Sequence, residues 1–104
     1  MSPTVAYVGL FLQLSKVTRE LGYALAIHGS SARDLDVIAV PWSSNAVTAE
    51  KLVAEILANS GGFLAPYEAH EMPRLRPHGR MCWFIHLGGG AYIDLSVLPI
   101  QAAA

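Results

Sequence analysis

Asp34, Asp36 and Asp94 are the only aspartates among the 104 residues of the chain. Asp34 and Asp36 are separated by one residue at the start of the apolar run Asp34–Trp42, which predicts a strand, so their side chains project to the same face. Asp94 lies in a second apolar run, Ala91–Pro99, predicted as another strand of the same sheet. Aspartate is depleted from strands, and a carboxylate on a packed sheet face has to be paired, hydrogen-bonded, metal-bound or protonated. Three converging carboxylates repel one another unless a divalent cation neutralises them, and hard oxygen ligands of this kind suit Mg²⁺ or Mn²⁺. The structural alternative is pairing with Arg33 and Arg80, which would leave the aspartates catalytically silent.

Gly29-Ser30 stands just before the aspartate pair, at the end of the short run Tyr23–His28. Glycine lets backbone approach a ligand closely, and successive N–H groups in such a turn can cradle phosphate oxygens. A phosphate cradle followed by metal-binding carboxylates is apparatus for in-line nucleotidyl transfer. Arg33, between the two, is a candidate phosphate contact, with an ion pair to a neighbouring aspartate as its ordinary structural role. His28 and His86 read first as structural histidines. The side of the sheet that His86 takes depends on the hairpin: a loop of all three glycines 88–90 puts it with Asp94, and a two-residue loop turns it away. Arg74, Arg76, His78 and Arg80 form a basic, proline-flanked segment predicted as an exposed loop, whose ligand could be phosphate, RNA or a protein partner. Trp42 and Trp83 fall near strand ends, with roles in the core or an oligomer interface expected and base stacking as the lesser alternative.

The elements that must position these residues follow from periodicity. Val5–Leu21 carries apolar residues at spacings of three and four and stops at Gly22, which predicts a helix. Tyr23–His28 and Asp34–Trp42 predict adjacent strands. Asn45–Ser60 predicts a second helix with Asn45 or Thr48 as its cap. Phe63–Met72 reads as one irregular or edge strand, because Pro66 removes a ladder donor. Met81–Leu87 and Ala91–Pro99 predict a hairpin across Gly88-Gly89-Gly90. The expected fold is α/β of the α+β kind: a single domain over residues 1–104, with a small mixed sheet and helices against one face. With 53% hydrophobic and 14% charged residues the chain is expected to fold, and a net charge of −1 supplies no bulk attraction to nucleic acid or anionic lipid. The single Cys82 excludes an internal disulfide framework. Val5–Leu14 is too short to cross a bilayer and no basic residue precedes it, so a cytoplasmic protein without a membrane span is expected. The high apolar fraction also fits a self-association surface, with a homodimer as its expected form.

The string His28-Gly29-Ser30-Ser31-Ala32-Arg33-Asp34-Leu35-Asp36-Val37 resembles the Gly-Ser, Asp-x-Asp signature of the nucleotidyltransferase superfamily, the fold shared by DNA polymerase beta and the small minimal nucleotidyltransferases. Asp94 in Tyr92-Ile93-Asp94-Leu95-Ser96 stands where that fold places its third metal-binding aspartate. The resemblance implies a metal-dependent transfer of a nucleotidyl group from a nucleoside triphosphate to an acceptor. In it, Asp34, Asp36 and Asp94 are catalytic residues and ligands of Mg²⁺ or Mn²⁺, while Gly29, Ser30 and Arg33 contact the nucleotide. The stretches Ile27–Trp42 and His78–Pro99 are also similar to small uncharacterised phage and prophage proteins. One departure bears on activity. Active members of the superfamily carry a longer segment between Gly-Ser and the first aspartate, whereas only Ser31, Ala32 and Arg33 intervene here. The alternative expectation is a catalytically silent binding or regulatory module on the same fold, of phage or prophage origin.

Overall fold

The computed structural model describes residues 3–65 and 74–100. The chain order is helix α1 (Pro3–Glu20), strand β1 (Tyr23–His28), strand β2 (Leu35–Pro41), helix α2 (Ala49–Ser60), strand β3 (Arg74–Arg76), a short 3-10 turn (Pro77–Gly79), strand β4 (Arg80–Gly88) and strand β5 (Ala91–Val97). The five strands form one mixed sheet in the order β1-β2-β5-β4-β3. Only β2 and β5 run parallel; the other three neighbouring pairs are antiparallel. The fold is α+β.

Strand alternation decides which face is covered. Leu35, Val37 and Ala39 on β2, Ile93, Leu95 and Val97 on β5, and Ile85 on β4 are each 0–1% exposed. They pack with Tyr7 and Leu14 of α1 and with Leu52, Val53 and Ile56 of α2 in one core. Fully burying a Leu or Ile side chain contributes about 1.5–3 kcal/mol, so this face holds the sheet to both helices. The alternate residues, Asp36 and Ile38 on β2 and Tyr92 and Asp94 on β5, point to the opposite face and are half-buried.

Several boundaries differ from the sequence-based expectation, each for a local reason. Strand β2 begins at Leu35, so Asp34 lies in the bend before it. Helix α2 begins at Ala49 rather than at Asn45, and Thr48 is its cap, its hydroxyl accepting the Lys51 N–H at 3.2 Å. The preceding residues are engaged elsewhere: the Asn45 N–H donates to Ser43 Oγ at 2.9 Å, and the Val47 N–H donates to the Leu21 carbonyl at 3.0 Å. Phe63 makes only an isolated antiparallel bridge with His86; the rest of the strand expected up to Met72 lies, from Pro66 onward, outside the described residues. The basic segment is not a loop. Arg74–Arg76 pairs with Arg80–Cys82 as a short hairpin at the sheet edge.

The β4–β5 connection is tighter than three glycines. Gly88 pairs with Ala91, leaving Gly89 and Gly90 as the turn, with φ of 62° and 83°. Positive φ at both central residues is what a type I′ hairpin turn demands. A register shift between His86 and Gly88 then sets His86 opposite Tyr92. The expectation that a two-residue loop would turn His86 from Asp94 is therefore corrected: the bulge adds one residue to β4 and restores His86 to the aspartate face.

Candidate metal centre

The three aspartates come together through two backbone devices. In the parallel β2–β5 pair Asp36 is in register with Asp94, which stands their side chains side by side on the open face. Asp34 is brought in by the loop 29–34. The Tyr7 hydroxyl on α1 donates to the Arg33 carbonyl at 2.9 Å, tying that loop to the helix. Ser31 is buried within it, with φ of 58°. One carboxylate oxygen from each of Asp34, Asp36 and Asp94 lies within 4.8 Å of the others, and all three residues are half-buried.

The electrostatics follow from that crowding. The Asp36 carboxyl is raised from its ordinary 3.8 to about 6, first by burial, then by a hydrogen bond and charge repulsion from Asp34 and by the charge of Asp94; His28, its register partner on β1, acts in the opposite sense. The Tyr92 hydroxyl is also raised, chiefly by the charge of Asp34, then by burial and a hydrogen bond to Asp34. The expected arginine pairing is not what the structure contains. Among the described residues the one ion pair is Lys51–Glu55, at 3.0 Å on α2. Arg33 is exposed and contributes its carbonyl, not its guanidinium, to the loop. Arg80 donates instead to the Pro77 carbonyl at 3.2 Å and to Ser96 Oγ at 3.4 Å. The donor set is thus three crowded oxygen ligands with no arginine or lysine in ion-pair contact with them among the described residues, which fits a hard divalent ion.

The Gly29-Ser30 turn has a different geometry from a phosphate cradle at a helix start. Gly29 has φ of 79°, and a Cβ placed there would stand 2.9 Å from Asp36 Oδ2. Glycine is needed here to admit the carboxylate. Ser30 Oγ accepts the Ala32 N–H at 3.3 Å, so one backbone donor of the turn is already used. Bends, not a helix, follow it up to β2. Gly29, Ser30 and Arg33 therefore lie beside the aspartates, but no helix begins directly after the Gly29-Ser30 turn.

Two further features escaped the sequence reading. Arg76 and Arg80 are direct partners across β3 and β4. A cavity of about 250 Å³ is lined by both, together with His28, Cys82, Asp94 and Ser96. The signal was present in the alternation of Arg74, Arg76 and Arg80 around a proline-glycine turn, but a three-residue strand has too little pattern to stand out. Trp83 packs against the core, whereas Trp42 is 63% exposed. No helix among the described residues is long and apolar enough to cross a membrane.

No protein-family model matches the chain, and no curated protein and no solved structure matches it either. What the chain does must be argued from its own side chains.

Proposed function

We propose that Asp34, Asp36 and Asp94 hold a divalent cation, Mg²⁺ or Mn²⁺, and that the open sheet face carries out metal-dependent nucleotidyl transfer from a nucleoside triphosphate to an acceptor hydroxyl. The observation that supports this is the convergence of the three carboxylates within 4.8 Å, with no ion pair to any of them among the described residues. A bound cation would supply charge neutralisation of phosphate oxygens and acidification of a coordinated hydroxyl. The chain's own contribution is positional. Asp36 and Asp94 are fixed by the strand register and Asp34 by the Tyr7 anchor, so the ligands are pre-arranged before the ion arrives. On this reading Asp94 accepts the acceptor's proton. Gly29 keeps the Asp36 carboxylate free of a clashing side chain.

A second reading is favoured by the Gly29-Ser30 turn, where no helix start follows and the Ala32 N–H is spent on Ser30. On that reading the chain binds a metal or a partner without turning over a nucleotide. The two separate in one experiment. Purified protein is incubated with Mg²⁺, a panel of labelled nucleoside triphosphates and a cell extract as acceptor source, alongside calorimetric titration with MnCl₂. Metal binding and labelling, both lost in Asp36→Asn, support the enzyme. Metal binding without labelling supports the silent module. Absence of Mn²⁺ binding in the wild type rejects the metal centre.

A further inference from the structure

The hairpin at the far edge of the sheet repeats the problem of the aspartates with the opposite sign. Arg76 and Arg80 face each other directly across an antiparallel pair, so their side chains leave on the same side of the sheet. Like charges in that position are destabilising. Neither guanidinium has a carboxylate within ion-pair distance among the described residues. Arg80 is half-buried and held in place by Pro77 and Ser96. Ser96 is itself 3% exposed and lies 3.0 Å from Cys82 Sγ. Among the described residues two of the five N–H donors of Arg80 are used in this way. Arg76 is exposed, and no described residue partners its guanidinium.

The cavity between them reaches the acidic cluster, because Asp94 belongs to both. Its volume of about 250 Å³ compares with about 30 Å³ for one water. Two guanidiniums, a hydroxyl and an imidazole are donors suited to a tetrahedral oxyanion. The shared carboxylate would repel such an anion unless a cation neutralises it.

We infer that Arg76 and Arg80, with Ser96 and His28, form a binding pocket for a phosphate group, and that the group bridges the arginines to a cation on Asp94. This inference rests on the metal-centre reading for the bridge and on the arginine pair for the pocket. It brings the phosphate in from the β3–β4 edge, not from the Gly29-Ser30 turn.

The test titrates inorganic phosphate, and separately adenosine 5′-monophosphate, into the protein with MgCl₂ and with EDTA, followed by calorimetry and phosphorus NMR. Mg²⁺ binding is measured first, without phosphate. Wild-type protein is expected to bind phosphate more tightly with Mg²⁺ than with EDTA. Arg76→Gln combined with Arg80→Gln is expected to weaken phosphate binding about tenfold or more, the loss of charge-assisted hydrogen bonds, while Mg²⁺ affinity stays within about twofold, since neither arginine is a ligand in this scheme. Arg76→Gln alone, at an exposed position, keeps the result readable if the double variant folds poorly. Tighter binding of the nucleotide than of inorganic phosphate assigns the pocket to a nucleotide's phosphate; equal binding assigns it to the phosphate group itself. Mg²⁺ binding in a protein that takes up no phosphate, or arginine variants that bind phosphate like the wild type, overturns the pocket and spares the metal centre. Phosphate binding that needs the arginines in a protein that takes up no Mg²⁺ overturns the metal centre and the bridge, and spares the pocket.

Discussion

The two faces of the sheet solve opposite problems with the same strands. On the covered face every second residue of β2 and β5 is apolar and inaccessible, and the helices close over it. On the open face the intervening positions set Asp36 beside Asp94, and at the edge Arg76 beside Arg80. One face is arranged so that neighbours attract, the other so that like charges crowd. The difference teaches that stability and chemistry are divided by strand parity: the covered face supplies free energy, and the open face uses some of it to hold groups where they would not settle unaided.

That division can be broken from either side. The largest effect belongs to the covered face. Leu95→Ala, at a position 0% exposed, is expected to cost about 3 kcal/mol in urea unfolding; a loss under about 1 kcal/mol would mean that Leu95 is not a core residue. Next comes Gly29→Ala, which forces a Cβ into a φ of 79° and against Asp36. A cost of roughly 1–2 kcal/mol is expected, together with weaker Mn²⁺ binding in calorimetry, because the Asp36 carboxylate must shift. Tyr7→Phe removes the hydroxyl that anchors the Arg33 carbonyl and should cost about 1 kcal/mol, with Mn²⁺ affinity lowered through Asp34.

Asp36→Asn is the sharpest comparison because its two effects have opposite signs. Relief of repulsion should stabilise the metal-free protein by about 0.5 kcal/mol at pH 8, while Mn²⁺ binding is lost. The pH dependence follows from the Asp36 carboxyl standing at about 6 in the folded chain against an ordinary 3.8. The folded state holds that proton more tightly than the unfolded one, so the stabilising contribution is fully present below 3.8 and is lost as pH rises through about 6. Urea midpoints measured in EDTA should therefore fall across this window for the wild type relative to Asp36→Asn. A saturating concentration of Mn²⁺, which favours the ionised carboxylate, should remove the fall. A wild-type curve parallel to that of the variant in EDTA would show that Asp36 is not the group responsible.

Much of the covered face was legible in the sequence. The apolar run that holds Leu35, Val37 and Ala39 and the helical stripe of Leu52, Val53 and Ile56 need only local sequence to be read as elements. The aspartates were legible as a cluster because carboxylates at alternating strand positions leave few explanations. What remained hidden depends on partners distant in the chain. Asp34 sits outside its strand because a tyrosine of α1 ties down the loop, and nothing near Asp34 in the sequence announces Tyr7. His86 reached the aspartate face through a one-residue bulge. Arg76 met Arg80 because a three-residue strand paired at the sheet edge, where proline and glycine had suggested only a loop.

The parallel pairing of β2 with β5 has a consequence in time. Its partners are joined by a long stretch of chain that includes α2, β3 and β4, and the entropy of closing so long a loop makes such contacts late and slow to form. A nascent chain that has emerged only as far as β4 holds both strands of the antiparallel β1–β2 pair and Asp36, yet it has no Asp94 to set beside it. On the proposed metal-centre reading the three ligands meet only once β5 stands beside β2, so ion uptake during refolding is expected to follow that pairing.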